Sequence, residues 1–287
     1  MPITSYAQNF EDVMLARAFP GAQGFYVDVG ANDPDIDSVS RAFYERGWSG
    51  INIEPLAAQY RRLVELRPRD VNLKIAVGDT EGEIAFYAVK QWHGFSTTDP
   101  AIVAQHRADK LNIKEERVPV RRLAAVFDEH APGRAIDFMK IDVEGTELAV
   151  LRGADLQRHR PKILVIEAKM PVTFAMVDRP DEVPDRTEEY AAFLGPLGYR
   201  LAYHDGLNAF FVADEHKDLA RHFSRPAGSL DRFVHAASTR PYEARIAELE
   251  ARIERLRARL GAGRAKKRKR TKPGRTKRAA RRPRRRR

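Results

Sequence analysis

Val27-Asp28-Val29-Gly30-Ala31-Asn32 closes one apolar run and Ile53-Glu54-Pro55 closes the next, with Glu54 placed 24 residues after Gly30. Short apolar runs of this kind read as buried strands, and the amphipathic stretch between them reads as a crossover helix. A glycine at the first strand end gives a ligand close access to the turn. An acid after the second strand accepts hydrogen bonds from ribose hydroxyls. The pair therefore points to a ligand carrying adenosine.

Two such ligands have to be separated. A dinucleotide brings an anionic pyrophosphate to the first turn, where closely spaced glycines expose backbone N–H groups. Here no glycine follows Gly30 until Gly47, and Asp33, Asp35 and Asp37 crowd the turn. Carboxylates repel phosphate and suit the ammonium and sulfonium charges of S-adenosylmethionine.

Moving outward, Phe25–Val29, Gly50–Ile53, Val71–Val77, Phe138–Ile141 and Ile163–Ile166 read as core strands. Helical stretches over 38–46, 56–66 and 146–151 lie between several of them. Arg200–Tyr203 and Ala209–Val212 flank an Asp205-Gly206 turn signal, which predicts an antiparallel hairpin closing the sheet. Alternating strands and helices imply an α/β, doubly wound, mostly parallel sheet, with ligands at the carboxyl ends of its strands.

A second constellation, Met139-Lys140-Ile141-Asp142-Val143-Glu144-Gly145-Thr146-Glu147-Leu148, sits where the fourth strand ends. Acids at that end face the same cleft as Asp28 and Glu54, and they need ligand, solvent or protein partners. Alternatively, Asp142 or Thr146 caps the next helix, and Lys140 is a salt-bridge partner. The carboxylates of Asp142 and Glu144 suit a divalent cation, although nothing in their spacing calls for one. For a proton acceptor the candidates are Asp142, Glu167 after the fifth strand, and His93 in Gln91-Trp92-His93-Gly94-Phe95-Ser96-Thr97; a lone loop histidine is more often a surface residue. Lys169–Glu188, rich in proline and acids, reads as a lid after the fifth strand.

Composition bounds the rest. The 287 residues are 43% hydrophobic and include no cysteine, which excludes disulfides, thiolate metal sites and cysteine nucleophiles. The first residues lack a signal-peptide pattern and no stretch reaches a membrane span, so the expectation is a cytoplasmic protein. The net charge of +11 is a property of one end: 264–287 carry 16 Lys and Arg and no acid, leaving the first 263 residues at −5. Composition divides the chain into a domain over 1–238, an amphipathic helix over 241–260, and a basic tail over 261–287. In the helix Ile246, Leu249, Ile253, Leu256 and Leu260 recur at 3-4-3-4 spacing, which suits a short coiled coil and self-association. The tail cannot bury a core and reads as disordered.

The runs from Asp28 to Asn32, Gly47 to Pro55 and Lys140 to Glu147 resemble the FkbM family of methyltransferases. Similar stretches are Tyr6-Ala7-Gln8-Asn9-Phe10-Glu11-Asp12, Phe95-Ser96-Thr97, Asp205-Gly206-Leu207-Asn208 and the vicinity of Phe233, so the likeness spans about 5–235. The resemblance implies a class I, Rossmann-like methyltransferase fold, S-adenosylmethionine as donor, and transfer to a hydroxyl oxygen of a sugar, glycan or small metabolite. It would put Asp28, Gly30 and Asn32 at the methionine end of the donor, Glu54 at its ribose and Asp79 near its adenine. Asp142 and Glu144 would line the transfer site, and Gln8, Glu11 and Asp12 become candidates for the cofactor site. Many members have a second glycine shortly after the asparagine, where this chain has Asp33-Pro34; proline stiffens that turn and removes an N–H.

The tail supports competing readings. Sixteen basic residues would bind nucleic acid or another polyanion through counterion release, recruiting the enzyme to RNA or to an anionic surface. Against an RNA substrate stand the acidic domain and the absence of aromatic residues after Tyr242. A non-catalytic scaffold that binds S-adenosylmethionine and pairs through 241–260 is another class, and a dinucleotide oxidoreductase a third.

Overall fold

The computed structural model describes residues 3–90, 93–170 and 182–237 together with 249, 252, 253 and 255; at 93 only the backbone is described. The chain divides after Ala236 into two units. In the second, Leu249, Arg252, Ile253 and Arg255 are helical and exposed. The tail over 261–287 and the rest of the expected helix over 241–260 lie outside the described residues.

The first unit runs β1 (Thr4–Ser5), α1 (Glu11–Ala18), β2 (Phe25–Val29), α2 (Arg41–Glu45), β3 (Ser49–Ile53), α3 (Ala57–Leu66), β4 (Val71–Leu73), β5 (Ala76–Gly78) and β6 (Gly82–Val89). It continues with α4 (Pro100–Ala108), β7 (Ile113–Arg122), α5 (Leu123–His130), β8 (Phe138–Ile141), α6 (Glu147–Gly153), β9 (Ile163–Glu167), α7 (Thr187–Leu194), β10 (Tyr199–His204), β11 (Asn208–Ala213) and β12 (Val234–His235).

The main sheet has the order β10-β11-β9-β8-β2-β3-β4. From β9 through β4 every pairing is parallel, whereas β11 and β10 join antiparallel. In β2, β3, β8 and β9 every residue except Ser49 and Glu167 is buried, as expected of strands covered on both faces. Alternate side chains feed two cores. Val27, Val29, Ile51, Met139 and Ile141 pack with Val126 and Phe127 of α5, Val150 of α6 and Tyr190 of α7. Tyr26, Phe138 and Val165 pack with Met14 and Leu15 of α1, Phe43 of α2, and Trp48. This is a mixed α/β fold with a mostly parallel central sheet. Among the described residues no helix is long and apolar enough to cross a membrane.

The strand order places the site. From β2 the chain works outward through β3 to β4, then returns to β8 on the other side of β2 and works outward to β9. The connections that leave the carboxyl ends of β2 and β8 thus run to opposite sides, a reversal point where open α/β sheets hold their ligands.

One expectation fails. The run Val71–Val77 is not a single strand: Val71–Leu73 edges the main sheet, while Ala76–Gly78 joins a separate sheet of order β5-β7-β6. The chain leaves the main sheet at Lys74 because the ten-residue β7 offers its backbone to Ala76–Gly78, and Ala76, Phe86, Ala88, Val118 and Val120 form a small core there. Both β6 and β7 escaped the sequence reading, since charged and exposed positions break up their apolar pattern.

Candidate active site

The reversal point opens into a cleft with about 610 Å³ of empty space, open solvent included. Gly30 and Asn32 contribute from β2, Glu54, Pro55 and Leu56 from β3, and Asp142, Val143, Glu144 and Thr146 from β8. Ile75, Ala76, Val77 and Phe86 form an apolar wall, and Gly94, Ser96 and Thr98 face it from the following loop. None of the residues in that wall or loop was singled out as a site residue from the sequence. For Ser96 the signal was there, because Phe95-Ser96-Thr97 belongs to the family-like stretches; for the apolar wall there was none.

Gly30 adopts φ 74°. Its N–H and that of Ala31 both donate to the Ile53 carbonyl, at 3.0 and 3.1 Å. A Cβ built there would stand 1.8 Å from the Asp142 carbonyl oxygen. The glycine thus admits the end of β8. Asn32, at φ 44°, donates its N–H to Glu54 Oε2 at 2.8 Å, while Leu56 N–H donates to Glu54 Oε1 at 2.6 Å. Both turns are therefore tied to one carboxylate. Burial pushes the Glu54 carboxyl up to about 7 despite those two hydrogen bonds.

Asp28 lies beneath the floor and not on the wall. It is 1% exposed, accepts a hydrogen bond from Ser40 Oγ at 2.5 Å, and has Lys140 Nζ 3.8 Å from Oδ1. Lys140 does bridge charges: its ammonium donates to the Gly30 carbonyl at 2.9 Å and lies 3.1 Å from Asp142 Oδ2. Burial alone would lower the Lys140 pKa, but Asp142 and Asp28 outweigh it and raise it.

After β8 and β9, carboxylate oxygens of Asp142, Glu144 and Glu167 lie within 4.8 Å of one another. β8 and β9 are neighbours in parallel register, Ile141 opposite Ile166, which brings Glu167 to the same level as Asp142. Burial first, then the Asp142 and Glu147 charges, hold the Glu144 carboxyl well above its usual range. Glu167 is raised in the same way by burial and then by Asp142 and Glu144. Glu147 points elsewhere: it accepts from the Val143 and Gly145 N–H groups at 3.2 and 2.9 Å and anchors the loop. Thr97 Oγ1 donates to the Glu144 carbonyl at 2.6 Å, joining the 94–98 loop to this turn.

Other expected site residues fall outside the cleft lining. Asp79 is exposed beyond β5, its carbonyl accepting from Arg122. The break between β4 and β5 carries it away. Gln8 is exposed. Glu11 is buried, bonded to Asn208 Nδ2 and Asn9 N–H, and Asp12 to Ser5 Oγ and Tyr6 N–H. These two acids pin the N-terminal segment. The side chain of His93 and residues 171–181 of the expected lid lie outside the described residues. The acids of the first turn are also spoken for: Asp33 pairs with Arg62, and Asp35 with Arg41 and Arg62. The acids at the cleft are thus Glu54, Asp142 and Glu144, with Glu167 close to the last two, and not the run that suggested them.

Three buried carboxyls give a pH signature. Burial raises Glu11 and Glu54 to about 7 and Asp12 to about 6. The folded chain keeps these protons where the unfolded chain, with ordinary carboxyls near 4, has released them. Stability is therefore greatest below about pH 4 as far as these groups are concerned, and falls as pH rises towards 7. Thermal melts from pH 5 to 8 should show a declining midpoint, and Glu54→Gln should flatten it by about 1–3 kcal/mol. A midpoint that rises across that range in both proteins would contradict the assignment.

Residues 28–201, more than half of the chain, match the family model described as Methyltransferase FkbM domain. Among solved structures, the crystal structure of Methyltransferase FkbM from Methylobacillus flagellatus KT is similar, with 17% identity and a TM-score of 0.41. The match covers 67% of this chain and 44% of that one, so the chain spans less than half of that neighbour's length. No curated protein matches the chain.

Proposed function

Because the chain belongs to the FkbM methyltransferase family, we propose that its cleft binds S-adenosylmethionine and directs the methyl group to a hydroxyl oxygen of an uncharged sugar, glycan or small metabolite. The observation that carries this reading is one cleft with two unlike parts to its lining. Glu54 after β3 and an apolar wall of Leu56, Ile75, Ala76, Val77 and Phe86 make the first, and Asp142 with Glu144 after β8, on the other side of β2, make the second. A nucleoside suits the first, with its base against the apolar wall and its ribose hydroxyls at Glu54. A sulfonium beside an alcohol suits the second. Asn32 fits as well: its Oδ1 is buried with no hydrogen-bond partner among the described residues, leaving an acceptor for an ammonium group.

When bound, S-adenosylmethionine supplies a methyl group already activated on a cationic sulfur. The chain has then to hold the acceptor in line, exclude water and take up a proton. Glu144 lines the cleft and is the proton acceptor in this reading. Asp142, held by Lys140, orients the hydroxyl, and its charge adds to burial in holding the Glu144 carboxyl above its usual range. A phosphorylated acceptor or an RNA backbone would meet these carboxylates with like charge, which favours a neutral acceptor over the tail-recruited alternative.

Calorimetric titration of the full chain with S-adenosylhomocysteine tests the donor half. Wild type should bind saturably, Glu54→Ala should weaken binding at least tenfold, and Asp79→Ala should leave it unchanged. A folded wild-type chain that does not bind would overturn the reading.

A further inference from the structure

Gly94 stands in the loop facing the apolar wall, and nothing among the described residues requires a glycine there. Its backbone lies outside the left-handed region, so any L-residue can adopt it. A Cβ built on it would meet Asn32 Nδ2 at 3.8 Å and Glu144 Oε1 at 4.0 Å, ordinary van der Waals contacts. Gly30 differs on both counts, with φ 74° and a Cβ position 1.8 Å from a carbonyl oxygen. Backbone conformation and packing explain Gly30; for Gly94 they explain nothing.

What lies in front of Gly94 is the cleft. Its missing side chain would project between Asn32 of the β2 turn and Glu144 of the β8 turn, the two turns that meet at the reversal point. A longer side chain would take up space in the cleft that all three residues line. The loop cannot retreat freely, because Val89 N–H donates to Ser96 Oγ at 3.0 Å, Thr97 pairs with Tyr87, and Thr97 Oγ1 donates to the Glu144 carbonyl.

We propose that the bound donor fills the space a side chain at position 94 would enter, so that Gly94 is the specificity-determining residue that admits the methionine end of S-adenosylmethionine between Asn32 and Glu144. The inference rests on the donor site proposed above. It makes Gly94 a residue kept small for a ligand and not for the packing of the protein itself.

The test compares full-length Gly94→Ala and Gly94→Leu with Gly228→Leu. Gly228 has no heavy atom within 4 Å of its Cβ position and also lies outside the left-handed region, so it controls for adding a side chain at all. Each protein is melted without ligand and titrated with S-adenosylhomocysteine. Gly94→Ala should weaken binding about 3–10-fold and Gly94→Leu at least 100-fold, by overpacking against the ligand. Both should melt within a few degrees of Gly228→Leu. Gly94→Leu binding within threefold of wild type would overturn the inference while leaving the donor site standing. A melting point for Gly94→Leu far below that of the control would assign the glycine to packing and also overturn it. Absence of binding by wild type would remove the donor site, and this inference with it.

Discussion

Gly30→Ala is expected to abolish saturable S-adenosylhomocysteine binding and to lower the melting temperature by several degrees. Two costs combine at this position. Alanine at φ 74° pays the left-handed penalty of roughly 1–2 kcal/mol. Its Cβ would also fall 1.8 Å from the Asp142 carbonyl oxygen and 2.9 Å from the carbonyl carbon, both of them backbone atoms that no rotamer change can move aside. Relief requires the carboxyl ends of β2 and β8 to separate. That separation breaks the bond from Asp142 N–H to the Val29 carbonyl at 3.1 Å and pulls the Gly30 carbonyl off Lys140. The β2 turn and the acid turn would then no longer face one cleft, so affinity should fall more than about 100-fold, or roughly 3 kcal/mol. Circular dichroism melts beside calorimetry check it. An alanine variant that binds like wild type would show that the close approach of the two strands plays no part in the site.

Glu144→Gln is expected to lower methyl transfer by about 10²–10⁴-fold, the range a positioned general base contributes. The measurement is transfer of labelled methyl from S-adenosylmethionine to the best acceptor in a panel of neutral glycosides and small polyols. Glutamine keeps the shape and one oxygen acceptor but cannot take a proton, so affinity for S-adenosylhomocysteine should stay within about threefold of wild type. The raised pKa of Glu144 adds a sign. The base must be deprotonated to act, so the acid limb of the rate profile follows the Glu144 carboxyl. After burial, the Asp142 charge is the first cause that raises that carboxyl. Asp142→Asn should therefore move the acid limb to lower pH while preserving part of the rate. Full turnover in Glu144→Gln would exclude it as the base, and an unmoved limb in Asp142→Asn would sever the link between the two carboxyls.

The site divides in the same way as these variants do. Gly30, Glu54, Asp142 and Glu144 could be read from the chain, because each follows directly on an apolar run and a strand end is a local feature. Glu167 was legible for the same reason, but its distance from Glu144 was not, since it depends on β8 and β9 lying side by side. Asp33 and Asp35 show the opposite error. The sequence puts their charges next to Gly30, yet Arg62, 27 residues beyond Asp35, and Arg41 pair with them in the fold. A charge counted along the chain says nothing about the partner that neutralises it.

By itself the sequence determined the alternation of buried strands and helices, and from that a mostly parallel α/β sheet with acids at its carboxyl ends. Hydrophobic periodicity is a short-range property, and a strand buried on both faces announces itself by being continuously apolar. Tertiary structure alone decided that the run after Asp70 splits between two sheets, which moves Asp79 off the cleft and brings Phe86 and Ala76 onto it. It also decided that Asp28 supports the floor, that Lys140 ties the β2 turn to Asp142, and that Gly94 looks between Asn32 and Glu144. Each of these depends on which strand or loop lies beside which. That choice is made by the packing energy of the whole sheet, and no window of sequence contains both partners.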